Sequence, residues 1–211
     1  LIGESGSGKT TLSNAILKIH SYDEGNIIFK GEDISKLKSR KLLDFRKEVQ
    51  IIFQDPYASL NPIKNIKQTL TEPISYHKIV SNAEKVVELL IDVGLDVSFL
   101  NRYPHELSGG QRQRVCIARA ISVTPKIVIC DECVSALDVS VQATILNLLN
   151  SLKKKYGFTY IFISHDLSVV KYMSDKIVVL NNGKVVEYDD ADKIFSNPEN
   201  NYTKKLINAS V

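Results

Sequence analysis

Short apolar runs alternate along the chain with stretches in which apolar and polar residues follow a helical period. The runs at 49–53, 126–130 and 158–163 have the length of buried strands. Apolar residues recur at helical spacing over 10–20 and 65–100. This alternation predicts an α/β fold in which helices cover a largely parallel sheet.

The same patterns predict the remaining elements. Helices are expected at 109–121 and 140–156, and strands at 26–30, 177–180 and 185–187. Asn182-Gly183 separates the last two strands, and this dipeptide is the strongest short signal for a β-hairpin. From Asp190 onward the pattern is helical, with a break at Pro198.

Length and composition indicate one ordinary globular domain. The chain has 211 residues, of which 44% are hydrophobic and 24% charged, enough for a single core. The net charge of +3 gives no case for a nucleic-acid-binding surface. No run approaches the roughly 20 consecutive apolar residues of a membrane helix. We expect a single domain over 1–211, N-terminally incomplete, because Leu1-Ile2 has the character of a strand end.

A glycine-rich loop joins that strand end to the helix predicted at 10–20. Its sequence is Gly3-Glu4-Ser5-Gly6-Ser7-Gly8-Lys9-Thr10, which fits the phosphate-binding loop pattern. In such loops backbone N–H groups surround the phosphates, the lysine reaches the β- and γ-phosphates, and the final hydroxyl ligates Mg²⁺. The positive end of the following helix adds to the attraction. The sequence therefore predicts an ATP site formed by Gly3, Glu4, Ser5, Gly6, Ser7, Gly8, Lys9, Thr10 and Thr11.

Two carboxylates, Asp131 and Glu132, end the apolar run at 126–130. In a phosphoryl-transfer ATPase the first of these holds Mg²⁺, usually through water. The second is placed to polarise the attacking water. An acidic pair after a core strand is common by itself, but together with the glycine-rich loop it indicates ATP hydrolysis.

A third motif points to one family. The segment Leu107-Ser108-Gly109-Gly110-Gln111 resembles the signature of ABC ATPases, which other phosphate-loop enzymes lack. The resemblance implies that this motif starts a helix and contacts the γ-phosphate bound by the opposite subunit. It also implies a Q-loop at Gln54, a D-loop ending at Asp138 and a switch histidine at His165, all in family order.

The resemblance implies a P-loop NTPase core of the ABC-ATPase type, with a helical subdomain inserted at roughly 56–115. Two such subunits, as a homo- or heterodimer, would close on two ATP molecules. Glu132 would act as the catalytic base, with His165 and Gln54 organising the water. The implied Mg²⁺ ligands are Thr10, Gln54 and, through water, Asp131.

The same resemblance extends to a branch of the family. Segments 53–62, 135–142 and 164–168 resemble the ATPases of oligopeptide, dipeptide and nickel importers, and 201–206 looks like the start of that branch's C-terminal extension. The implied function is to power uptake of peptides or nickel through transmembrane permease subunits, with an extracellular solute-binding protein as an indirect partner. The implied location is the cytoplasmic face of the membrane. Another importer branch, or a non-transport ABC ATPase acting on a macromolecule, remains an alternative.

Three further expectations concern single residues. The aromatic residue that stacks on adenine lies upstream in this family, so we expect this chain to bind nucleotide more weakly than a longer parent. Cys130 and Cys133 form a C-x-x-C pair, which we interpret as two small core residues. The loop after Gln54 is rich in turn formers and is expected to be an exposed docking surface that includes Tyr57 and Leu60.

Overall fold

The structure is a computed structural model that describes residues 1–79 and 83–209. The helices are α1 (Lys9–Ile16), α2 (Ser39–Glu48), α3 (Ile66–Tyr76), α4 (Ala83–Asp92), α5 (Gly109–Ile121), α6 (Val139–Tyr156), α7 (Leu167–Met173), α8 (Ala191–Ser196) and α9 (Asn201–Asn208). The strands are β1 (Ile28–Phe29), β2 (Glu32–Asp33), β3 (Val49–Ile52), β4 (Ile127–Asp131), β5 (Thr159–Ile163), β6 (Lys176–Asn181) and β7 (Lys184–Asp190).

Most elements lie where the patterns predicted them, and the differences have local causes. Helix α1 ends at Ile16 rather than near His20, because Lys18 has a positive φ of 55° that a helix cannot continue through. The helical stretch predicted at 65–100 contains α3, α4 and a 3₁₀ turn at Val97–Asn101, and its residues 80–82 lie outside the described residues.

The chain divides into two units, Leu1–Ser35 with Ile161–Val211, and Lys36–Tyr160. The first unit is built on the antiparallel hairpin of β6 and β7. Asn182 and Gly183 form its turn with φ values of 47° and 74°, the conformation that this dipeptide favours. The predicted hairpin is therefore confirmed. Its core includes Ile2, Val170, Ile177, Val179 and Ile194, with aromatic and aliphatic side chains of α9 packed against it.

In the same unit, residues 1–2 lie between the end of β5 and β6. The Leu1 nitrogen donates to the Phe162 carbonyl at 2.7 Å, and the Ser164 N–H donates to the Leu1 carbonyl at 3.4 Å. On the other side, Ile2 forms a parallel bridge with Val179. The segments that follow residue 2 and residue 163 therefore leave the strands at the same end.

The second unit contains the parallel pair β3 and β4, whose register runs from Val49 opposite Ile127 to Ile52 opposite Cys130. The sheet order is β3-β4-β5, and β5 begins in this unit, where the Thr159 N–H donates to the Lys126 carbonyl at 2.8 Å. The interior of β4 is apolar throughout, as expected for a strand covered on both faces.

The segment between β3 and β4 is helical. Helix α3 begins at a capping box, in which the Asn65 side chain accepts from the Gln68 N–H at 2.9 Å and the Gln68 side chain accepts from the Asn65 N–H at 3.0 Å. Helices α4 and α6 are joined by Lys155, which contacts Asp92 at 2.6 Å.

Across the described residues, no helix is both long enough and apolar enough to cross a membrane.

One expectation about the loop after Gln54 is wrong. Tyr57 is 61% exposed, but Leu60 is only 4% exposed and belongs to the core. The Asp55 carboxylate accepts from the N–H groups of Tyr57 and Ala58 at 2.7 and 3.2 Å. This turn reverses the chain, so that Tyr57 faces solvent and Leu60 points inward.

Candidate functional site

The glycine-rich loop lies in the first unit and is held together by its own lysine. The Lys9 ammonium is buried and donates to the carbonyls of Gly3 and Glu4 at 2.7 and 2.8 Å. The Ser7 N–H donates to the same Glu4 carbonyl at 3.2 Å. Lys9 is the first residue of α1, and its ammonium group lies among the backbone carbonyls of the loop. The lysine of a phosphate-binding loop occupies this place in the sequence, at the start of the helix.

The back of this loop rests on the hairpin of β6 and β7. The Gly183 N–H donates to the Ser7 carbonyl at 3.0 Å. Gly3 has a φ of 151°, and a Cβ placed on it would lie 2.2 Å from the Leu180 carbonyl oxygen. Only glycine therefore allows the backbone to approach the hairpin this closely.

His165 lies in the same unit, directly after β5 and Ser164. Because residues 1–2 run beside the end of β5, His165 and the glycine-rich loop leave neighbouring strands at the same edge. Asp166, the next residue, caps α7 by accepting from the N–H groups of Ser168 and Val169. His165 is thereby fixed between a strand end and a capped helix start, with its side chain exposed.

In the second unit, hydrogen bonds near the carboxyl ends of β3 and β4 join Gln54, Ser135 and Glu132. The Gln54 amide donates to the Ser135 hydroxyl at 3.4 Å, and that hydroxyl donates to the Glu132 carbonyl at 2.9 Å. Asp131 is 7% exposed at the end of β4. Glu132 has a φ of 48°, a conformation that costs of order 1–3 kcal/mol in a non-glycine residue and is often found at functional sites.

The predicted signature motif starts α5. Ser108 is the N-cap and forms a capping box with Gln111: the Gln111 N–H donates to the Ser108 hydroxyl at 3.3 Å, and the Ser108 N–H donates to the Gln111 side chain at 2.9 Å. Leu107 is buried, and its carbonyl accepts from Arg112 at 2.6 Å. The N–H groups at the start of a helix are the kind that bind anions.

The signature motif also contacts the predicted D-loop and the start of α6. A Cβ placed on Gly110 would lie 2.7 Å from Val141, whereas one on Gly109 would lie 3.8 Å from Leu137. Asp138 is the N-cap residue of α6 and is exposed. A groove beside these residues is lined by Ser108, Gly110, Ser140, Val141 and Thr144, among others.

The cysteines pack in the interior. Cys116, Cys130 and Cys133 are free thiols, and all are buried. Burial raises the pKa of the Cys130 thiol well above its usual range, and a hydrogen bond with Cys133 raises it further. A buried thiol in this state is a poor nucleophile and a poor metal ligand, which agrees with the packing role predicted for both residues.

Two residues with contacts at these motifs were missed by the sequence reasoning. Ser135 lies inside the predicted D-loop, but its bonds to Gln54 and Glu132 depend on a strand register that the sequence does not display. Tyr202 was noted only as part of the branch-specific segment at 201–206. Its hydroxyl accepts from the Glu4 N–H of the glycine-rich loop at 3.1 Å.

The family follows from comparison with known proteins. A family model described as ABC transporter matches residues 1–135. The chain belongs to the ABC transporter family. It is 52% identical to the oligopeptide transport ATP-binding protein OppF of Streptococcus mutans serotype c, over 99% of the chain and 69% of that protein. It is 49% identical to the oligopeptide transport ATP-binding protein OppF of Bacillus subtilis, over 99% of this chain and 70% of that protein.

The chain is also 46% identical to the glutathione import ATP-binding protein GsiA of Pectobacterium atrosepticum, over 99% of this chain and 34% of that protein. Among solved structures it resembles the dimeric post-hydrolysis state of the ATP-binding cassette MJ0796 bound to ADP and Pi. That match has a TM-score of 0.79 and 28% identity over 90% of this chain and 83% of that one. It also resembles cbiO1 of Clostridium perfringens, part of the cbiONQ transporter complex. That match has a TM-score of 0.81 and 26% identity over 93% of this chain and 78% of that one.

These comparisons confirm the α/β fold of the ABC-ATPase type and the prediction of an ATP-hydrolysing importer ATPase, with ATP and Mg²⁺ as its cofactors. The residues fit these groups. The loop at 3–10 has the lysine and the glycines of a phosphate-binding loop, with the Lys9 ammonium held by the loop's own carbonyls. Thr10, Gln54 and Asp131 carry the oxygen donors that Mg²⁺ prefers.

Proposed function

We propose that this ABC ATPase powers the uptake of short peptides. The observation that carries the proposal is identity of 49–52%, over 99% of the chain, to proteins named for oligopeptide transport. A third relative is named for import of glutathione, which is itself a tripeptide. The segments that resemble this branch, at 53–62 and 135–142, contain Gln54 and Asp138.

In the first unit, Lys9 and the backbone of the loop bind the phosphates, and the Thr10 hydroxyl is an Mg²⁺ ligand. The remaining residues proposed to contact nucleotide are Gly3, Glu4, Ser5, Gly6, Ser7, Gly8 and Thr11. When bound, ATP supplies the phosphoryl group and Mg²⁺ offsets charge on its β- and γ-oxygens. His165 would help to orient the attacking water.

In the second unit, Glu132 accepts a proton from the attacking water as general base. Gln54 helps to orient that water and would also be an Mg²⁺ ligand, and Asp131 would hold the ion through water. The bonds from Gln54 to Ser135 and from Ser135 to the Glu132 backbone carbonyl support these roles, because they join the Gln54 side chain to the backbone of the proposed base.

The start of α5 acts on nucleotide held by a second ABC ATPase subunit, identical or related. Ser108 and Gly110 present the hydroxyl and backbone N–H groups, while Leu107, Gly109 and Gln111 maintain the helix start. Asp138 of the D-loop contacts the same partner subunit. The two ATPase subunits bind transmembrane permease subunits at the cytoplasmic face of the membrane. On the outer face, a solute-binding protein delivers the peptide to the permease.

The test is transport by the reconstituted complex. The ATPase is purified with its permease subunits, placed in liposomes together with the solute-binding protein, and assayed for ATP-dependent uptake of a radiolabelled tripeptide and of radioactive nickel. Peptide uptake that is lost in Glu132→Gln, but kept in the surface control Glu24→Gln, supports the proposal. Nickel uptake without peptide uptake would show that the substrate class is wrong.

A further inference from the structure

We infer that Tyr202 is a positioning residue for nucleotide binding, because its hydroxyl holds the entry of the glycine-rich loop. The Glu4 N–H donates to the Tyr202 hydroxyl at 3.1 Å, although the two residues are 198 positions apart in the chain. Both belong to the first unit. The inference rests on the proposed role of the loop at 3–10 in phosphate binding.

Both backbone polar groups of Glu4 are hydrogen-bonded. Its N–H bonds to Tyr202, and its carbonyl accepts from the Lys9 ammonium at 2.8 Å and from the Ser7 N–H at 3.2 Å. Tyr202 is therefore one peptide unit away from the ammonium that is proposed to meet the phosphates. A shift of Glu4 would displace an acceptor of Lys9 and the loop turn that Ser7 closes.

Tyr202 is itself held in place by the chain around it. Its N–H donates to the Asn200 side chain at 2.8 Å, the N-cap bond of α9. The Glu187 carboxylate of β7 accepts from the N–H groups of Glu199 and Asn200 at 2.7 and 3.2 Å. These bonds join the start of α9 to the hairpin, so the hydroxyl has a defined position.

The tyrosine ring is anchored as well. It packs against the core cluster that contains Ile2 and Val179. Ile2 directly precedes the glycine-rich loop, so the ring packs on the core cluster to which the residue before the loop belongs, while the hydroxyl bonds to the loop itself. The Gly183 N–H, which donates to the Ser7 carbonyl at 3.0 Å, holds the other side. The loop is thus fixed between the hairpin and α9.

Tyr202→Phe separates the hydrogen bond of the hydroxyl from the packing of the ring, because it keeps the ring and removes only the hydroxyl. A typical hydrogen bond of this kind corresponds to a two- to tenfold change in an equilibrium constant. We expect Tyr202→Phe to raise the Kd and KM for ATP by about two- to tenfold. The kcat at saturating ATP should change by less than about twofold, since bound nucleotide restores the loop.

The control is Tyr188→Phe, in the same unit, whose ring is 58% exposed on β7. ATP binding by calorimetry, steady-state ATPase assays and thermal unfolding are measured for the parent and both variants. An unchanged Tm with weaker ATP binding in Tyr202→Phe alone supports the inference. Parent-like Kd in Tyr202→Phe overturns it, and so does an equal loss in Tyr188→Phe.

A third variant tests the proposed loop function separately. Lys9→Ala should abolish measurable ATP binding if the loop binds phosphate. Retained binding in Lys9→Ala would contradict the proposed function of the loop. Lost binding in Lys9→Ala, together with parent affinity in Tyr202→Phe, would leave that function standing and reject only the role of Tyr202.

Discussion

Gln54 and Glu132 follow the ends of two parallel strands, β3 and β4. Ile52 pairs with Cys130, and each of the two functional candidates stands two positions beyond that pair. The Ser135 hydroxyl connects them, because it accepts from the Gln54 amide at 3.4 Å and donates to the Glu132 carbonyl at 2.9 Å. The strand register therefore brings an amide and a carboxylate that are far apart in sequence to one edge of the sheet.

Glu132→Gln should stop hydrolysis and preserve ATP binding. The amide has nearly the same shape as the carboxylate but cannot accept a proton from water, and general bases typically contribute about 10²–10⁴-fold to the rate. We expect kcat to fall by at least about 100-fold. ATP binding by calorimetry should remain at the parent level, and the ATP-bound form should accumulate as a dimer on size exclusion.

The control for this variant is Glu24→Gln, which makes the same chemical change at an exposed position. Its kcat and its Kd for ATP should equal those of the parent. Turnover by Glu132→Gln at near the parent rate would show that another group is the base.

Gly110→Ala should destabilise the second unit, and Gly109→Ala should not. The new methyl group at position 110 would lie 2.7 Å from Val141, but at position 109 the nearest contact is 3.8 Å. Overpacking costs about 1–3 kcal/mol, whereas alanine in a helix gains up to ~1 kcal/mol over glycine. Thermal unfolding should show a lower Tm for Gly110→Ala only; equal shifts in both would argue against a tight contact at 110.

Tyr57 and Leu60 should respond differently to truncation. Leu60 is buried, so Leu60→Ala should lower the free energy of unfolding by about 2–5 kcal/mol. Tyr57 is exposed, and the Arg112 guanidinium lies 5.4 Å from the centre of its ring, a contact that contributes about 0.5–1 kcal/mol. We expect Tyr57→Ala to fold normally and hydrolyse ATP but to reduce transport in liposomes. Unchanged uptake would exclude Tyr57 from the docking surface.

Alkaline pH should weaken the fold through Cys116. Burial raises the pKa of this thiol from 9.0 to about 11, so the unfolded chain loses the proton first as the pH rises. Between these two values the folded state binds more protons, and stability falls by about 1.4 kcal/mol per pH unit from this group. Cys116→Ala should therefore flatten the decline in urea-unfolding free energy over that window. Parallel declines in parent and variant would contradict the assignment.

The sequence by itself determined the parts of the molecule that depend on neighbours in the chain. The start of α5 was predictable because Ser108, Gly109 and Gln111 carry the cap, the small residue and the capping-box partner within one turn. The hairpin turn at Asn182-Gly183 was predictable because this dipeptide favours the positive φ values that the turn requires. The glycine-rich loop was recognised for the same local reason.

Tertiary structure alone decided how distant segments meet. Leu60, which follows the turn at Asp55, is buried. The sequence around Leu60 did not show its burial, because that burial depends on packing within the second unit. The bond between Tyr202 and Glu4 joins two segments that are 198 positions apart in the chain. Such contacts depend on strand register and on which helix covers which strand. Periodicity records only whether a side chain is buried, and not which partner it meets.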